Sequence, residues 1–262
     1  MNIKLWYTWR VVSVLIHLIA VGCYGFALLF QLSHPKGYYW QTNDNELALT
    51  NTTLLPGEYT FGWKLKYLTI WNLIINFIVF LFCLICDCFK SNYMFDEPMK
   101  SPSIEWMYKI RDTLFHSLVF PLGTFVFVMF FLLISIKGKL ISDQIFHRRN
   151  PVFLSHLTHT IIFPLLLSEI LITYHKKWVK KLIEIAILMT TVLLYSIWCL
   201  YLGLIHDLWP YGILRHMSWI LRIIFMIICA VIAIVVYFVG VFIHMYSWPT
   251  KRIKQWHTSY DN

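Results

Sequence analysis

Charge is the property that this sequence has least of. Only 13% of its 262 residues are charged, whereas about 25% is usual for a soluble domain. With 59% hydrophobic residues and only 22 Lys+Arg and 13 Asp+Glu, the chain cannot cover a core of this size with a polar surface. The shortage excludes a soluble globular protein and indicates that lipid forms part of the solvent.

Several functional signatures are also missing. The formal net charge is +9, but the basic residues form short clusters without a continuous basic stripe, so nucleic acid is not an expected partner. The six cysteines do not form a disulfide framework. Cys83 and Cys86 have CxxC spacing without a second pair for zinc. We therefore expect small buried apolar residues, or acylated thiols beside the membrane at Cys86 and Cys88. An HExxH motif and a multiple-histidine box are absent, and we expect neither a metal nor another cofactor.

Long apolar runs are what the sequence does contain. Six segments have about 20 mostly apolar residues, the length that a membrane helix needs, and they are too long for the strands of a barrel. The sequence therefore predicts an all-α polytopic membrane protein, a single domain over residues 1–262 that forms a bundle of six transmembrane helices. The predicted spans are 11–30, 67–86, 113–136, 152–173, 182–204 and 221–245.

The distribution of basic residues predicts the orientation of the bundle. Thirteen Lys and Arg residues fall in segments on the side of the termini and eight on the opposite side, which predicts cytoplasmic termini. Residues 31–66 would then form a lumenal loop and 247–262 a cytoplasmic tail. Asn51, in the sequon Asn51-Thr52-Thr53, is a glycosylation candidate in that loop. The membrane could be the endoplasmic reticulum or the plasma membrane, and the oligomeric state stays open.

Polar side chains inside the predicted spans are functional candidates because they are costly there. The densest cluster is Ser155-His156-Leu157-Thr158-His159-Thr160, at the start of the fourth span. His156 and His159 share a helix face at i,i+3. Two adjacent imidazoles are a weak metal signal, and histidines that only hydrogen-bond neighbouring helices are the simpler alternative.

A second polar group lies at the start of the second span. Thr69, Asn72 and Asn76 follow one another at i, i+3 and i+7, and in the predicted topology they enter the membrane from the same side as His159. A threonine hydroxyl beside a histidine is the minimal pair of nucleophile and general base. A threonine that starts or packs a helix is the alternative.

At these residues the chain resembles the androgen-induced gene family, which includes the androgen-dependent regulators of tissue factor pathway inhibitor. The resemblance covers about residues 63 to 248. The stretches that carry it are Trp63-Lys64-Leu65-Lys66-Tyr67-Leu68-Thr69, Arg111-Asp112, Phe120-Pro121, Leu154-Ser155-His156-Leu157-Thr158-His159-Thr160 with Phe163-Pro164 and Glu169, Trp209-Pro210-Tyr211, and Tyr237 with Gly240.

The resemblance implies a threonine hydrolase that acts on fatty acid esters of hydroxy fatty acids. It assigns the nucleophile to Thr69 and the essential histidine to His159, and we add Asn72, His156 and Ser155 as possible supporting groups. The expected partners are the bilayer and a lipid substrate within it. Two alternatives remain, a non-enzymatic transporter or scaffold whose polar residues serve helix packing, and a lipid acyltransferase.

Overall fold

The computed structural model describes residues 3–33, 64–89, 102–137 and 152–248, and it confirms the prediction of an all-α polytopic membrane protein. Within these ranges all regular secondary structure is helical, and six helices are long and apolar enough to cross a membrane. Asn51, most of the predicted loop 31–66 and all but the first residues of the tail 247–262 lie outside the described residues.

The six helices, numbered in chain order, include two with a break in their hydrogen-bond pattern. They are α1 (Ile3–Ser33), α2 (Leu68–Cys88), α3 (Pro102–Leu114, a π-helical turn Phe115–Val119, and Phe120–Lys137), α4 (Val152–Ser155, a π-helical turn His156–Thr160, and Ile162–Ile172), α5 (Lys181–Ile205) and α6 (Trp219–Ser247).

The third helix begins eleven residues before the predicted start of its span at residue 113. Its first residue is Pro102, a residue type that suits the first helical position because the missing N–H has no acceptor there. The predicted boundary followed the charged residues Arg111 and Asp112. In the structure these two residues are 4% and 0% exposed and bond to each other, so they lie inside the bundle.

Both π-helical turns are found just before a proline. Pro121 and Pro164 lack the N–H that would bond the carbonyl four residues earlier, and their rings press on that carbonyl. A π-helical turn relieves this clash by shifting the hydrogen-bond register by one residue. In α4 the N–H of Ile161 accordingly donates to the carbonyl of His156 at 2.9 Å.

Helix α3 lies between two apolar cores. On one side Phe115 and Phe120 join buried residues of α1, α2 and α4, including Tyr24, Phe80 and Leu166. On the other side its residues Leu122, Phe125 and Val126 pack with α5 and α6 through Leu188, Tyr195 and Tyr237. Helix α3 is thus the central helix of the bundle.

We expect Gly240→Ala to destabilise the protein because α6 approaches α3 closely at this glycine. A Cβ at residue 240 would lie 2.5 Å from Cδ1 of Phe120, a ring that is 1% exposed and packed in the core. Overpacking of this kind costs about 1–3 kcal/mol. The free energy of unfolding in detergent would measure it.

Gly22→Ala is the matched control for this prediction. A Cβ at residue 22 meets no atom within 4 Å, and alanine is the better helix former. We expect Gly22→Ala to be neutral or slightly stabilising. Equal stability of the two variants would contradict the close approach of α6 to Phe120.

Candidate active site

A cavity of about 410 Å³ lies between the second core and the starts of α2 and α4. This volume is in the range of small-molecule sites. Most of its wall is apolar. The apolar lining includes Leu122, Phe125, Val126, Met129, Phe130, Phe131, Val152, Val192, Phe225, Met226 and Ala233.

The described residues that line the cavity include no Asp, Glu, Lys or Arg. The polar groups on the wall are hydroxyls, thiols and imidazoles, among them Thr69, His159 and Tyr195. A charged headgroup inside this wall would lack a countercharge, which is expensive in an apolar medium. The cavity therefore suits an uncharged group carried on a hydrocarbon chain.

Thr69 and His159, which the sequence placed at the starts of the second and fourth spans, meet on this wall. The Oγ1 of Thr69 lies 3.2 Å from the Nε2 of His159. The two side chains come from different helices, since Thr69 is the second residue of α2 and His159 lies in the π-helical turn of α4. The distance is within the range for proton transfer between a nucleophile and a general base.

The other ring nitrogen of His159 fixes the tautomer of the imidazole. Its Nδ1 lies 3.1 Å from the carbonyl of Ser155 and 2.8 Å from the hydroxyl of Thr158. The Thr158 hydroxyl donates its proton to the carbonyl of Leu154 at 2.9 Å, so it can only accept from His159. Nδ1 therefore carries the proton, and the lone pair of Nε2 points at the Thr69 hydroxyl.

The plane of the His159 ring is also held in place. The Phe130 ring stacks on it, with the ring centroids 3.9 Å apart and the planes 19° from parallel. The stack comes from α3, whereas the bonds to Nδ1 come from α4 itself. Helices α3 and α4 thus set the position of this imidazole relative to Thr69 on α2.

The N-terminus of α2 contributes backbone donors near Thr69. The N–H of Leu68 donates to the phenol oxygen of Tyr195 at 3.1 Å, and that phenol donates to the carbonyl of Lys66 at 2.9 Å. The N–H of Thr69 is the next in the helix and precedes the intrahelical hydrogen-bond pattern. The N–H after it, of Ile70, donates to the carbonyl of Tyr67 at 3.0 Å. These N–H groups also carry the positive end of the helix dipole.

Tyr211, in the segment between α5 and α6, closes the wall next to Tyr195. Burial raises the pKa of the Tyr211 phenol to about 12. The phenol therefore stays protonated and neutral across the physiological range, in keeping with the uncharged wall.

The three residues predicted as supporting groups take different positions. Ser155 lines the cavity and accepts the Nδ1 proton of His159 through its carbonyl rather than its hydroxyl. His156 also lines the cavity, and its Nδ1 lies 3.1 Å from the Thr160 hydroxyl. Asn72 does not belong to the lining. It is fully buried, and its carbonyl groups accept from the amide of Asn76 at 2.8 Å.

Sequence reasoning missed three residues of this site. Thr158 was visible only as a neighbour of His159, and its role depends on the π-helical turn that directs its hydroxyl. Phe130 and Tyr195 lie in apolar runs of α3 and α5, where nothing distinguishes them from packing aromatics. They come to the site through the packing of helices that are distant in sequence.

Comparisons with known proteins identify a family for this chain. The family model described as FAR-17a/AIG1-like protein matches residues 12–245. The human androgen-induced gene 1 protein is 24% identical over 204 residues, which cover 76% of this chain and 83% of that protein. The human androgen-dependent TFPI-regulating protein is 27% identical and its counterpart in Mesocricetus auratus 29%, each over 191 residues, 73% of this chain and 80% of the relative.

No solved structure gives a significant match to this chain. The family match extends from α1 into the last turns of α6 and includes Thr69, His159 and every helix that lines the cavity. Because the matched region is most of the chain, this six-helix membrane protein belongs to the FAR-17a/AIG1-like protein family.

Proposed function

We propose that this protein is an intramembrane esterase that hydrolyses fatty acid esters of hydroxy fatty acids, with Thr69 as nucleophile and His159 as general base. The observation that carries the proposal is the 3.2 Å contact between Thr69 Oγ1 and the unprotonated Nε2 of His159. The contact lies on the wall of an apolar cavity. A hydroxyl is a weak nucleophile unless a neighbouring base accepts its proton, and this contact supplies the base.

The reaction has two acyl-transfer steps. Nε2 of His159 takes the Thr69 proton as Oγ1 attacks the ester carbonyl carbon. The tetrahedral intermediate expels the alkoxide of the hydroxy fatty acid, which receives that proton from His159 and leaves an acyl-threonine. A water molecule then loses a proton to His159 and attacks the acyl carbon, which releases the fatty acid and returns the proton to Thr69.

The negative oxygen of each intermediate needs donors, and the first turn of α2 is well placed to give one. The backbone N–H of Thr69 is attached to the residue that bears the nucleophile, an arrangement that directs it toward the attacked carbonyl. The helix dipole adds to the stabilisation of negative charge there. His156, on the cavity wall, stays a prediction as a further donor, and Asn72, which lies outside the lining, stays a prediction as an orienting group.

The uncharged wall also bears on how the substrate lies. The free carboxylate of such a lipid would have no countercharge in the cavity, so we propose that it stays at the membrane surface while the ester and one chain enter. With both termini in the cytoplasm, as the basic residues predict, the starts of α2 and α4 place the site near the lumenal face. The membrane is that of the endoplasmic reticulum or the cell surface.

The test is turnover by the purified full-length chain in lipid nanodiscs. We expect a branched ester to yield equal amounts of fatty acid and hydroxy fatty acid, with one heavy oxygen entering the fatty acid in ¹⁸O-labelled water. Transfer of the acyl group to an added alcohol in place of water would support the acyltransferase alternative. Absence of any acyl transfer would favour the transporter or scaffold and overturn the proposal.

We expect His159→Gln to lower the rate of ester hydrolysis by about 10²–10⁴-fold, the usual contribution of a general base. The amide cannot accept the Thr69 proton at neutral pH. His216→Gln is the matched control, because His216 is exposed and lies outside the cavity lining. A rate for His159→Gln equal to that of the control would exclude His159 as the base.

A further inference from the structure

A second polar cluster lies near the opposite end of the bundle, away from the cavity. Its centre is formed by His17 on α1, Cys83 on α2 and Glu169 on α4, and all three side chains are fully buried. Cys83 is fourteen residues after Thr69, or about 21 Å along α2 at 1.5 Å per residue. None of the three residues lines the cavity, so the cluster is not part of the proposed active site.

We propose that His17, Cys83 and Glu169 form a binding site for a divalent metal ion, best suited to Zn²⁺. A ring nitrogen of His17, the Sγ of Cys83 and a carboxylate oxygen of Glu169 lie within 4.8 Å of one another. Ligand bonds of 2.0–2.3 Å in a tetrahedral site place donor atoms roughly 3.3–3.8 Å apart. The side chains therefore need to move by an ångström or less to hold an ion between them.

Carboxylate and imidazole groups around this cluster hydrogen-bond to His17 and Glu169, as residues that surround metal ligands usually do. The Nδ1 of His17 lies 2.6 Å from Oδ2 of Asp87, which leaves Nε2 directed inward. The second oxygen of Glu169 lies 3.0 Å from Nε2 of His175. A ligating histidine typically donates its other N–H to a carboxylate, and ligating carboxylates are themselves hydrogen-bonded.

Hydrogen bonding does not explain why a cysteine lies at position 83. Cys83 is 0% exposed, and its thiol sulfur lies within 4.8 Å of ligand atoms of His17 and Glu169. Among the described residues it makes no hydrogen bond. A thiol is a weak hydrogen-bond donor, but a thiolate is a strong ligand for zinc.

Charge balance favours a divalent ion in this buried place. One thiolate and one carboxylate neutralise Zn²⁺, and His17 binds as a neutral imidazole. Binding would replace the 2.9 Å contact between His17 Nε2 and Glu169 Oε2, and the thiol and imidazole protons would leave to solvent. Water or the second Glu169 oxygen completes the coordination. Asp87 is 18% exposed and marks a route for the ion from the end of α2.

Such an ion would fasten three helices together at the end of the bundle opposite the active site. Its role is structural, because the cavity and the Thr69–His159 pair lie elsewhere. The proposal departs from the expectation, drawn from the sequence, that no metal is bound. No local motif marks this site, because the three proposed ligands come from three separate spans.

The test uses the full-length chain with a tag that does not bind metals, purified from cells grown with added zinc. We expect about one zinc per chain by mass spectrometry of the metal content, and X-ray absorption with one sulfur scatterer. Exchange with Co²⁺ should give a sulfur-to-cobalt charge-transfer band. Wild-type protein with neither bound zinc nor this band would overturn the proposal.

Single substitutions test which residues bind the metal ion. Cys83→Ser should lose the cobalt band and most of the zinc, whereas Cys86→Ser, a buried cysteine less than one helical turn away, should keep both. Asp87→Asn should weaken zinc affinity by about 10–100-fold, the usual effect of losing an outer partner. Loss of the band in Cys86→Ser with its retention in Cys83→Ser would contradict the site.

A single-cysteine variant tests the same point if Cys83→Ser does not fold. This variant keeps Cys83 and replaces the other five cysteines with alanine. We expect it to retain the charge-transfer band and one zinc. If wild-type protein shows the band and this folded chain does not, the thiolate belongs to another cysteine and the proposal fails.

Discussion

Thr69→Ala is expected to lower the hydrolysis of branched fatty acid esters by roughly 10⁴-fold or more, the scale on which the loss of a covalent nucleophile acts. The alanine removes the hydroxyl oxygen that lies 3.2 Å from His159 Nε2. It leaves the apolar wall and the stacked imidazole in place. The rate with the purified chain in nanodiscs measures the effect, and labelling by a fluorophosphonate probe should fall with it.

Two companion variants separate chemistry from folding. Thr69→Ser keeps a hydroxyl on the same atom position and should retain measurable hydrolysis and labelling. Thr191→Ala removes a threonine hydroxyl that lies outside the cavity lining and donates to the Ile187 carbonyl within α5. This variant should act like wild type. Full activity in Thr69→Ala would exclude the threonine mechanism, and loss in Thr191→Ala would point to a general folding defect.

The fold was largely predictable from the sequence because lipid imposes a simple rule. Backbone groups in hydrocarbon must be satisfied within the helix, so apolar length alone predicted an all-α protein with six long apolar helices, as the described residues show. The largest boundary difference, at α3, arose at Arg111 and Asp112. A hydropathy pattern treats charged residues as span ends, and it cannot register that two neighbouring charges neutralise each other inside a bundle.

The candidate site was predictable in part. The depth of Thr69 and His159 followed from helix rise and topology, and the structure brings the two side chains together. The tautomer of His159 was not predictable, because it depends on a π-helical turn that Pro164 favours but does not dictate. Phe130 and Tyr195 reach the site through contacts between helices, and a single sequence carries no information on which faces meet.

The second polar cluster, around His17, Cys83 and Glu169, also depends on contacts between helices that a single sequence does not reveal. Glu169 is a carboxylate inside the apolar run of the fourth span, a position that by itself predicts only a structural hydrogen-bond partner. Its contacts with His17, Thr173 and His175 fit that role. The identity of those partners depends on the meeting of α1, α4 and the segment after α4. Polar residues that are isolated in sequence thus form one continuous network in space.

Asp112 connects this network to α3, and Asp112→Asn is expected to destabilise the protein by about 3–5 kcal/mol, the usual cost of removing one partner of a buried ion pair. Its carboxylate accepts bonds from Arg111 at 2.6 and 2.8 Å and from His175 at 3.1 Å. It also accepts from the N–H of Lys176 and the indole of Trp178.

The asparagine has nearly the same shape, so the effect would come from charge and hydrogen bonding. It would leave the Arg111 guanidinium, 4% exposed, facing a neutral amide whose NH₂ group meets other donors. Asp207→Asn is the matched control, because Asp207 pairs with Arg215 at 2.7 Å while 70% exposed. Exposed pairs contribute about 0–1 kcal/mol, and asparagine tolerates the positive φ of residue 207.

Denaturant titration of both variants in the same micelles would give the two free energies of unfolding. The prediction requires the change at Asp112 to exceed that at Asp207 by several kcal/mol, since the chemical substitution is identical and only burial and the number of donors differ. Equal changes would mean that water reaches Arg111 and Asp112. The N-terminal segment of α3 (Pro102–Leu114) would then lie at the membrane surface, as the hydropathy pattern alone predicts.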